Sequence, residues 1–227
     1  GLVAGSAAKL GVHADRRVML VAEVGIPQIA AYLAILRLGA TVVLAHPSLT
    51  SSEMRAMAAA SDVSFLVGSG TGLATAVDAI GGSVKEVLGL SNADNRLASL
   101  VYEGSDGEAL PAAPDDPSSP AVLAFTSGTT GRPTPTPLSH SNPLASIRGV
   151  MLAWRCTVRD HLVHSLPISH QHGLSGVHAT LLAGSSASML GGFDPEATLE
   201  AVKRGATFHF GVPAIHQRLL EHLGPRA

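Results

Sequence analysis

A segment dense in hydroxyl groups and glycine follows a short apolar run near the middle of the chain. The apolar run covers residues 121–125 and predicts a buried strand. The segment after it is Thr126, Ser127, Gly128, Thr129, Thr130 and Gly131. Glycine lets a backbone approach a ligand closely, and backbone N–H groups combined with hydroxyl donors make a concave site for anions. The pattern therefore predicts a phosphate-binding loop rather than an ordinary turn.

This loop differs from the most familiar nucleotide-binding loop, which carries a lysine directly after its second glycine. Here only Arg132 follows closely, and residues 134–137 alternate threonine and proline. Proline has no backbone N–H and fixes its own φ angle, so this run predicts a stiff continuation of the loop with few donors. The sequence therefore indicates a phosphate loop of another type.

A segment with two histidines, residues 166–174 (LPISHQHGL), lies between a predicted strand and a predicted helix. α/β proteins bind ligands beyond the carboxyl ends of their parallel strands. His170 and His172 alternate along the segment, so on an extended backbone both side chains would project to one side. We interpret the segment as part of a ligand pocket.

Two other interpretations of this segment are open. His170 and His172 could bind a metal with His164 or His178 as a third ligand, although no carboxylate or cysteine stands at a suitable spacing. Residues 173–176 could form a nucleophile elbow, although their serine is not centred between two glycines as that motif requires. Both patterns are weaker than the ligand-pocket interpretation, and we predict no bound metal.

Two glycine-containing segments also follow predicted strands. Residues 210–214, which include Gly211 and Pro213, open a predicted helix. With the two earlier segments they make three strand-to-helix loops on one edge of a sheet system, which is how an open α/β site is assembled. Residues 68–72 (GSGTG) lack the glycine spacing of a dinucleotide site and predict a flexible loop.

Strands and helices alternate along most of the chain. Periodicity predicts strands at 17–22, 41–45, 63–67, 121–125, 161–165, 187–190 and 207–210, and helices at 27–38, 51–60, 142–154, 173–182 and 213–223, with one more after Pro195. We expect Ser51 or Ser52 to cap the second helix. This alternation predicts an α/β fold of parallel-rich sheets with helices packed on them.

A linker at 104–120, rich in Pro, Asp, Ser and Gly, is predicted to separate subdomains at 1–103 and 121–227.

The composition limits the partners. The 227 residues are 46% hydrophobic and 14% charged, with a net charge of −2 at pH 7. This balance is typical of a core-forming chain that lacks the basic patch needed for nucleic acids or anionic membranes.

No apolar run is long enough to cross a bilayer. The single cysteine, Cys156, cannot form an internal disulfide, and we interpret it as a packing residue in a reducing cytoplasm. The first residue is not Met, and we expect a cut end without a signal peptide.

The three segments, in this order, resemble motifs of the adenylate-forming superfamily, which includes acyl-CoA synthetases, luciferases and the adenylation domains of peptide synthetases. Residues 126–131 match the family's phosphate loop, written TSGTTG-x-PKG. Residues 166–174 resemble its acyl-pocket motif, and residues 210–220 (FGVPAIHQRLL) resemble the segment that lines the same pocket. Residues 32–50 are similar to part of its N-terminal half. The double-histidine form of the pocket motif is most similar to malonyl-CoA synthetases and their medium-chain relatives.

The resemblance implies a two-step ligation. A carboxylic acid attacks Mg-ATP to give an acyl-adenylate and pyrophosphate, and coenzyme A then displaces AMP, so ATP, Mg²⁺ and CoA are the implied cofactors. The loop at 126–131 would hold the β- and γ-phosphates. His170 would stand at the substrate carboxylate as the catalytic residue. The acyl pocket would be shaped by His170, His172, Gly173, Gly211 and Pro213.

The chain departs from the family pattern at several positions. Thr134 and Pro135 stand where the family has lysine and glycine, which removes a positive charge and a backbone donor from the phosphate loop. Ser169 replaces an aromatic residue, Ala214 a threonine and His216 a tyrosine. Together these replacements indicate relaxed constraint on catalysis or a chemistry other than ordinary adenylation.

Several motifs of the resembled family are not found in the 227 residues: the adenine-binding Tyr-Gly-x-Thr-Glu motif, the ribose-binding aspartate and the C-terminal mobile domain with its catalytic lysine. We therefore expect an incomplete N-terminal domain, inactive by itself, whose exposed faces favour a homo-oligomer. One hypothesis is a portion of an active carboxylate:CoA ligase. The alternative is a degenerate, non-catalytic binding or scaffolding module of the same fold, and a metal hydrolase that uses the two histidines is a third.

Overall fold

The computed structural model describes residues 2–21, 23–90, 113, 115–126 and 133–224. Its elements fall into two compact units, Gly1–Asn142 and Pro143–Ala227. Each unit is built around a sheet of mainly parallel strands that alternate with helices. This arrangement confirms the predicted α/β fold.

The first unit contains a six-stranded sheet in the order β4-β3-β1-β2-β5-β6. Its strands are β1 (Arg17–Val21), β2 (Thr41–Ala45), β3 (Phe65–Gly68), β4 (Glu86–Gly89), β5 (Pro120–Thr126) and β6 (Thr134–Ser139). Neighbouring strands are parallel except for β5 and β6, which form an antiparallel pair. The parallel arrangement brings the carboxyl ends of β1, β2 and β5 to one edge of the sheet.

Helices connect the strands of this sheet and cover it. In the described part of the first unit they are α1 (Leu2–Lys9), α2 (Ile26–Arg37), α3 (Ser51–Ser61), α4 (Gly70–Ile80) and a short 3₁₀-helix at Gly81–Ser83. Every residue of β2 and β3 is buried, as expected for parallel strands that are covered on both faces. Met19 and Val43 of the sheet pack in one cluster with Met54 of α3 and Ile80 of α4.

The N-cap of α3 is Thr50, and not Ser51 or Ser52 as predicted. Thr50 Oγ1 accepts the backbone N–H of Glu53 at 3.3 Å, and Glu53 Oε2 accepts the backbone N–H of Thr50 at 2.8 Å. This reciprocal arrangement is a capping box, in which the cap stands three residues before the glutamate. Hydrogen bonds from Thr50 lower the pKa of the Glu53 carboxyl.

The prediction of a flexible loop at residues 68–72 is wrong, because α4 begins within them. An added Cβ at Gly68 would lie 2.0 Å from the Val21 carbonyl oxygen, and one at Gly72 would lie 2.7 Å from Pro47 Cβ. These glycines therefore let β3 and α4 approach the neighbouring backbone closely. Elements α1 and β4 are further parts of the fold that the sequence pattern did not predict.

The threonine and proline residues after the phosphate loop form an edge strand, and not the stiff loop that was predicted. In the antiparallel pair, Pro135 lies opposite Phe125 and Pro137 lies opposite Leu123. An antiparallel strand directs its backbone N–H groups alternately toward its neighbour and away from it. Because proline has no N–H to donate, both prolines take positions whose nitrogen faces away from β5. The hydrogen-bond ladder between β5 and β6 therefore forms in spite of them.

The two units divide between Asn142 and Pro143, which differs from the predicted division into 1–103 and 121–227. The physical reason is the parallel pairing of β2 with β5. This pairing joins β5 to the first sheet and, through β5, also joins β6 to it. Most of the predicted linker at 104–120 lies outside the described residues.

The second unit contains a three-stranded parallel sheet in the order β8-β7-β9. Its strands are β7 (His161–His164), β8 (Ser186–Met189) and β9 (Phe208–His209), and its helices are α5 (Ser141–Ala153), α6 (Gln171–Ala183), α7 (Pro195–Lys203) and α8 (Pro213–Leu223). The chain passes from β7 to β8 on one side and then crosses to β9 on the other side of β7. Open α/β sheets bind ligands where the direction of connection changes in this way.

The core of the second unit joins its helices to this sheet. Ile147 of α5 and Ala179 of α6 pack in one buried cluster with Leu162 of β7 and Ile215 of α8.

Each helix in the described part of the chain is too short or too polar to cross a bilayer.

Gly72→Ala should destabilise the first unit, although alanine normally favours a helix over glycine by about 0.5–1 kcal/mol. The added methyl carbon would lie 2.7 Å from Pro47 Cβ and 2.9 Å from Pro47 Cα, and overpacking of this kind costs about 1–3 kcal/mol. We expect a lower urea midpoint with an unchanged slope. Gly82→Ala is the control, because a Cβ there meets nothing within 4 Å. Equal midpoints for the two variants would contradict the packing role of Gly72.

Candidate functional site

The predicted phosphate loop connects β5 to β6, and backbone pairing holds its two ends. Thr126, the last residue of β5, lies opposite Thr134, the first residue of β6. The loop therefore starts and ends at the sheet edge where β1 and β2 also end. The remaining loop residues lie outside the described part of the chain, and their contacts with phosphate stay a prediction: Ser127, Gly128, Thr129, Thr130 and Gly131.

The segment with two histidines leads from the end of β7 into helix α6. Its turn is closed by backbone hydrogen bonds: the His170 N–H donates to the Pro167 carbonyl oxygen at 3.2 Å, and the Leu174 N–H donates to the His170 carbonyl oxygen at 3.1 Å. An added Cβ at Gly173 would lie 2.1 Å from the Pro167 carbonyl oxygen. Position 173 therefore needs glycine so that the first turn of α6 can pack on this segment.

His170 is the N-cap residue of α6 and has an extended backbone, with φ −116° and ψ 150°. His172 is the second residue of the helix, and both side chains are exposed. The prediction that the two rings project to one side rested on an extended backbone, which ends where the helix begins at Gln171. Helical residues two positions apart do not face each other, so the two histidines do not form a matched pair.

The start of α6 is suited to an anion. The first N–H groups of a helix have no acceptor within the helix, and the helix dipole adds a partial positive charge at this end. The side chain of His170 makes no hydrogen bond that caps the helix. A carboxylate at this helix start would meet backbone donors, with the His170 ring beside it.

Gly211 lies against two imidazole rings after β9. An added Cβ at Gly211 would lie 2.9 Å from His216 Nε2 and 3.1 Å from His209 Cε1. The ring centroids of these two histidines are 5.7 Å apart at an interplanar angle of 89°. Burial, together with the neighbouring His216, lowers the pKa of His209. Gly211 was predicted from its motif alone; the sequence signal for the ring pair was a histidine on each side of the strand-to-helix turn.

Parallel pairing brings these two segments to one edge of the second sheet. In the register of β7 with β9, Val163 lies opposite His209, so the segments that follow the two strands start side by side. The predicted phosphate loop belongs to the other unit and joins two strands, so the prediction of three strand-to-helix loops on one sheet edge is wrong for this segment. The predicted pocket residues that share the edge of the second sheet are His170, His172, Gly173, Gly211 and Pro213.

The structure gives no support to the two alternative interpretations of this region. Within the described ranges, no group of three or more His, Cys, Asp or Glu side chains could hold a metal ion. His164, one of the predicted third ligands, is buried, and its Nε2 contacts the Gly173 carbonyl oxygen at 2.8 Å. Residues 173–176 lie inside α6 and not on a strand-to-helix turn, so they do not form a nucleophile elbow.

Comparison with known families identifies the family of the chain. The family described as AMP-binding enzyme matches residues 3–227. The chain belongs to this family. Among the relatives of this AMP-binding chain is the oxalate–CoA ligase of Arabidopsis thaliana, 29% identical over 202 residues, which cover 84% of the chain and 38% of the relative. The mitochondrial malonate–CoA ligase of Homo sapiens is 32% identical over 107 residues, 45% of the chain and 19% of the relative.

Solved structures of AMP-binding relatives share the fold. The ATP-bound structure of MatB from Rhodopseudomonas palustris has a TM-score of 0.84 and 30% identity, and the match covers 99% of the chain and 45% of MatB. The apo form of MatB gives a TM-score of 0.83 with 29% identity. The chain therefore spans less than half the length of these relatives, and the likeness confirms the expected adenylate-forming fold.

Buried histidines should make the second unit sensitive to acid. Burial lowers the pKa of His164, His178 and His209. Below the ordinary histidine value of about 6.5, the unfolded chain therefore binds more protons than the folded one, and stability that is fully present above this pH is lost as the pH falls.

We expect a lower urea midpoint at about pH 5.5 than at about pH 7.5, and a smaller difference in a His209→Asn variant, which cannot titrate there. Between about pH 7 and 8 these rings are neutral in both states, so the midpoint should be nearly constant. A midpoint that does not change down to about pH 5.5 would contradict the burial of these rings as neutral groups.

Proposed function

We propose that the protein to which this chain belongs is an ATP-dependent carboxylate:CoA ligase, and that the chain supplies its phosphate loop and part of its acyl pocket. The observation that carries the proposal is the shared edge of the second sheet, where LPISHQHGL and FGVP follow neighbouring parallel strands. The family match over residues 3–227 and the likeness to ATP-bound MatB support it.

The proposed reaction is a two-step ligation. A carboxylate oxygen of the substrate attacks the α-phosphorus of ATP, and the bond from this phosphorus to pyrophosphate breaks. The thiol of CoA then attacks the acyl carbon, and AMP leaves. Negative charge develops on the departing pyrophosphate, and the donors of residues 126–131 would stabilise it. The start of α6, with His170, would hold the carboxylate for attack.

Mg²⁺ enters this proposal only as the ion that accompanies ATP. The described residues contain no cluster of three or more metal-binding side chains. Proteins commonly hold Mg²⁺ through substrate phosphates and one or two carboxylates. We therefore assign no step of the reaction to a metal ligand of this chain.

Short dicarboxylic acids are the substrate class that we propose. The relatives named above act on oxalate and malonate, and the histidine segment has the double-histidine form that resembles malonyl-CoA synthetases. Ser169 and Ala214 are smaller than the residues of the resembled family, which would leave room for a polar group near His170. These features favour malonate over a long acyl chain.

Carboxylate-dependent exchange between ATP and pyrophosphate tests the proposed function. The full-length protein should exchange label from pyrophosphate into ATP when malonate or oxalate is added, because acyl-adenylate formation is reversible. Octanoate and benzoate are the comparison acids, and omission of any acid is the control. A folded full-length protein that shows no exchange with any of these acids would overturn the ligase proposal.

Thr134→Lys should strengthen ATP binding in the full-length protein. Thr134 is exposed and stands at the exit of the phosphate loop, so an ammonium group there would lie close to the proposed phosphate site. We expect the Kd for ATP to fall about fivefold, which corresponds to one added charge-assisted contact of about 1 kcal/mol.

Thr136→Lys is the matched control for this variant. It adds the same charge on the same face of β6, two residues farther from the loop. Calorimetric titration with ATP compares the two variants. An equal gain in both would show a general charge effect and would count against a phosphate site at 126–131.

The alternative function is a non-catalytic module of the same fold. Thr134 and Pro135, in place of the family's lysine and glycine, are the observation that favours it. The same titration distinguishes the two proposals, because a micromolar Kd of the unmodified full-length protein for ATP would argue strongly against a degenerate module.

A further inference from the structure

His164 is the last residue of β7 and stands two positions before the segment 166–174, which we propose opens the acyl pocket. Only 2% of this residue is exposed. Its Nε2 lies 2.8 Å from the carbonyl oxygen of Gly173 in the first turn of α6. Its own carbonyl oxygen accepts the backbone N–H of Leu190, just after β8, at 2.8 Å. One residue therefore connects the end of β7 to both the next helix and the neighbouring strand.

The contact with Gly173 determines which nitrogen of the ring carries the proton. A carbonyl oxygen can only accept a hydrogen bond, so Nε2 must be the donor and the neutral ring is the Nε2–H tautomer. Burial lowers the pKa of His164, while the hydrogen bond to Gly173 opposes this shift. The ring is therefore a neutral donor in the folded protein at neutral pH.

The same ring also packs against the next turn of α6. An added Cβ at Gly176 would lie 2.8 Å from His164 Cδ2 and 3.1 Å from His164 Nε2. Gly173 and Gly176 are three residues apart and so lie on one face of the helix. A hydrogen bond at the first and close packing at the second fix both the height and the rotation of the helix start relative to β7.

We propose that His164 is a positioning residue of the acyl pocket, whose Nε2–H holds the Gly173 carbonyl oxygen and so fixes the start of α6 and the place of His170. The effect of this positioning on substrate binding rests on the proposed function. The contacts of His164 do not depend on the proposed function, since they lie within the second unit and involve no ligand. Neither the metal-ligand interpretation nor the resemblance to the family assigned this role to His164.

Three variants of the full-length protein separate donation from packing. His164→Gln keeps an amide N–H donor at about the distance of Nε2 from the backbone, whereas His164→Leu keeps the bulk without a donor. His161→Leu is the matched control, because His161 lies on the same strand but its ring contacts Ser186 Oγ at 2.7 Å and Ser188 Oγ at 2.8 Å on β8.

Hydrogen–deuterium exchange measured by mass spectrometry is the readout that does not depend on activity. In His164→Leu, we expect peptides that cover residues 168–178 to exchange about fivefold faster, the ratio expected for loss of one typical hydrogen bond. Peptides from residues 17–45 serve as the internal reference. His164→Gln should return exchange close to the unmodified rate, and His161→Leu should leave residues 168–178 unchanged.

Kinetic constants add the functional readout. His164→Leu should raise the KM for the carboxylic acid about fivefold, while the KM for ATP changes less than about twofold. His164→Gln should restore the KM for the acid. If the unmodified protein shows no acid-dependent exchange, the proposed function fails, and deuterium exchange still decides the positioning role. Unchanged deuterium exchange in His164→Leu, or equally fast exchange in His164→Gln and His164→Leu, would overturn the proposal.

Discussion

The parallel pairing of β7 with β9 is the interaction on which the candidate acyl pocket depends. These strands are separated in sequence by α6, β8 and α7, and their parallel pairing brings the ends of both to the same edge. Because the strands run in the same direction, the segments that follow them leave the sheet side by side. Residues more than 35 positions apart along the chain, His170 and Gly211, thereby share one sheet edge.

Close backbone packing is the second requirement, and glycine meets it in both units. Gly68 lies against the Val21 carbonyl oxygen, and Gly173 lies against that of Pro167, at positions where a Cβ would overlap with backbone atoms. Gly68 brings the end of β3 close to the backbone of β1, and Gly173 brings the first turn of α6 close to the backbone of residue 167. Backbone atoms cannot move aside as the end of a long side chain can, so these positions constrain the sheet edges more firmly than the surrounding apolar contacts.

The sequence predicted most elements because their apolar periodicity is strong and local. The helix at Pro213–Leu223 was predicted with its observed bounds, since proline begins it and its apolar spacing is regular. The edge strand at Thr134–Ser139 was missed, because proline usually argues against a strand and only the pairing with β5 shows where its nitrogens face. Gly173 and Gly211 were named from motifs; the structure shows close packing at both, and their place in a substrate pocket stays a prediction. The contacts of His164 and the ring pair of His209 and His216 join residues by tertiary packing, for which the sequence carried no periodic signal.

The two prolines of β6 have a consequence for the outer edge of the first sheet. Their nitrogens face the side away from β5, so that side of β6 lacks two of the N–H groups by which an unpaired strand recruits another chain. The outer edge of β6 is therefore a poor template for the addition of another strand. A substitution that restores N–H donors at these positions would lengthen the pairing-competent edge and with it the tendency of the protein to associate edge to edge.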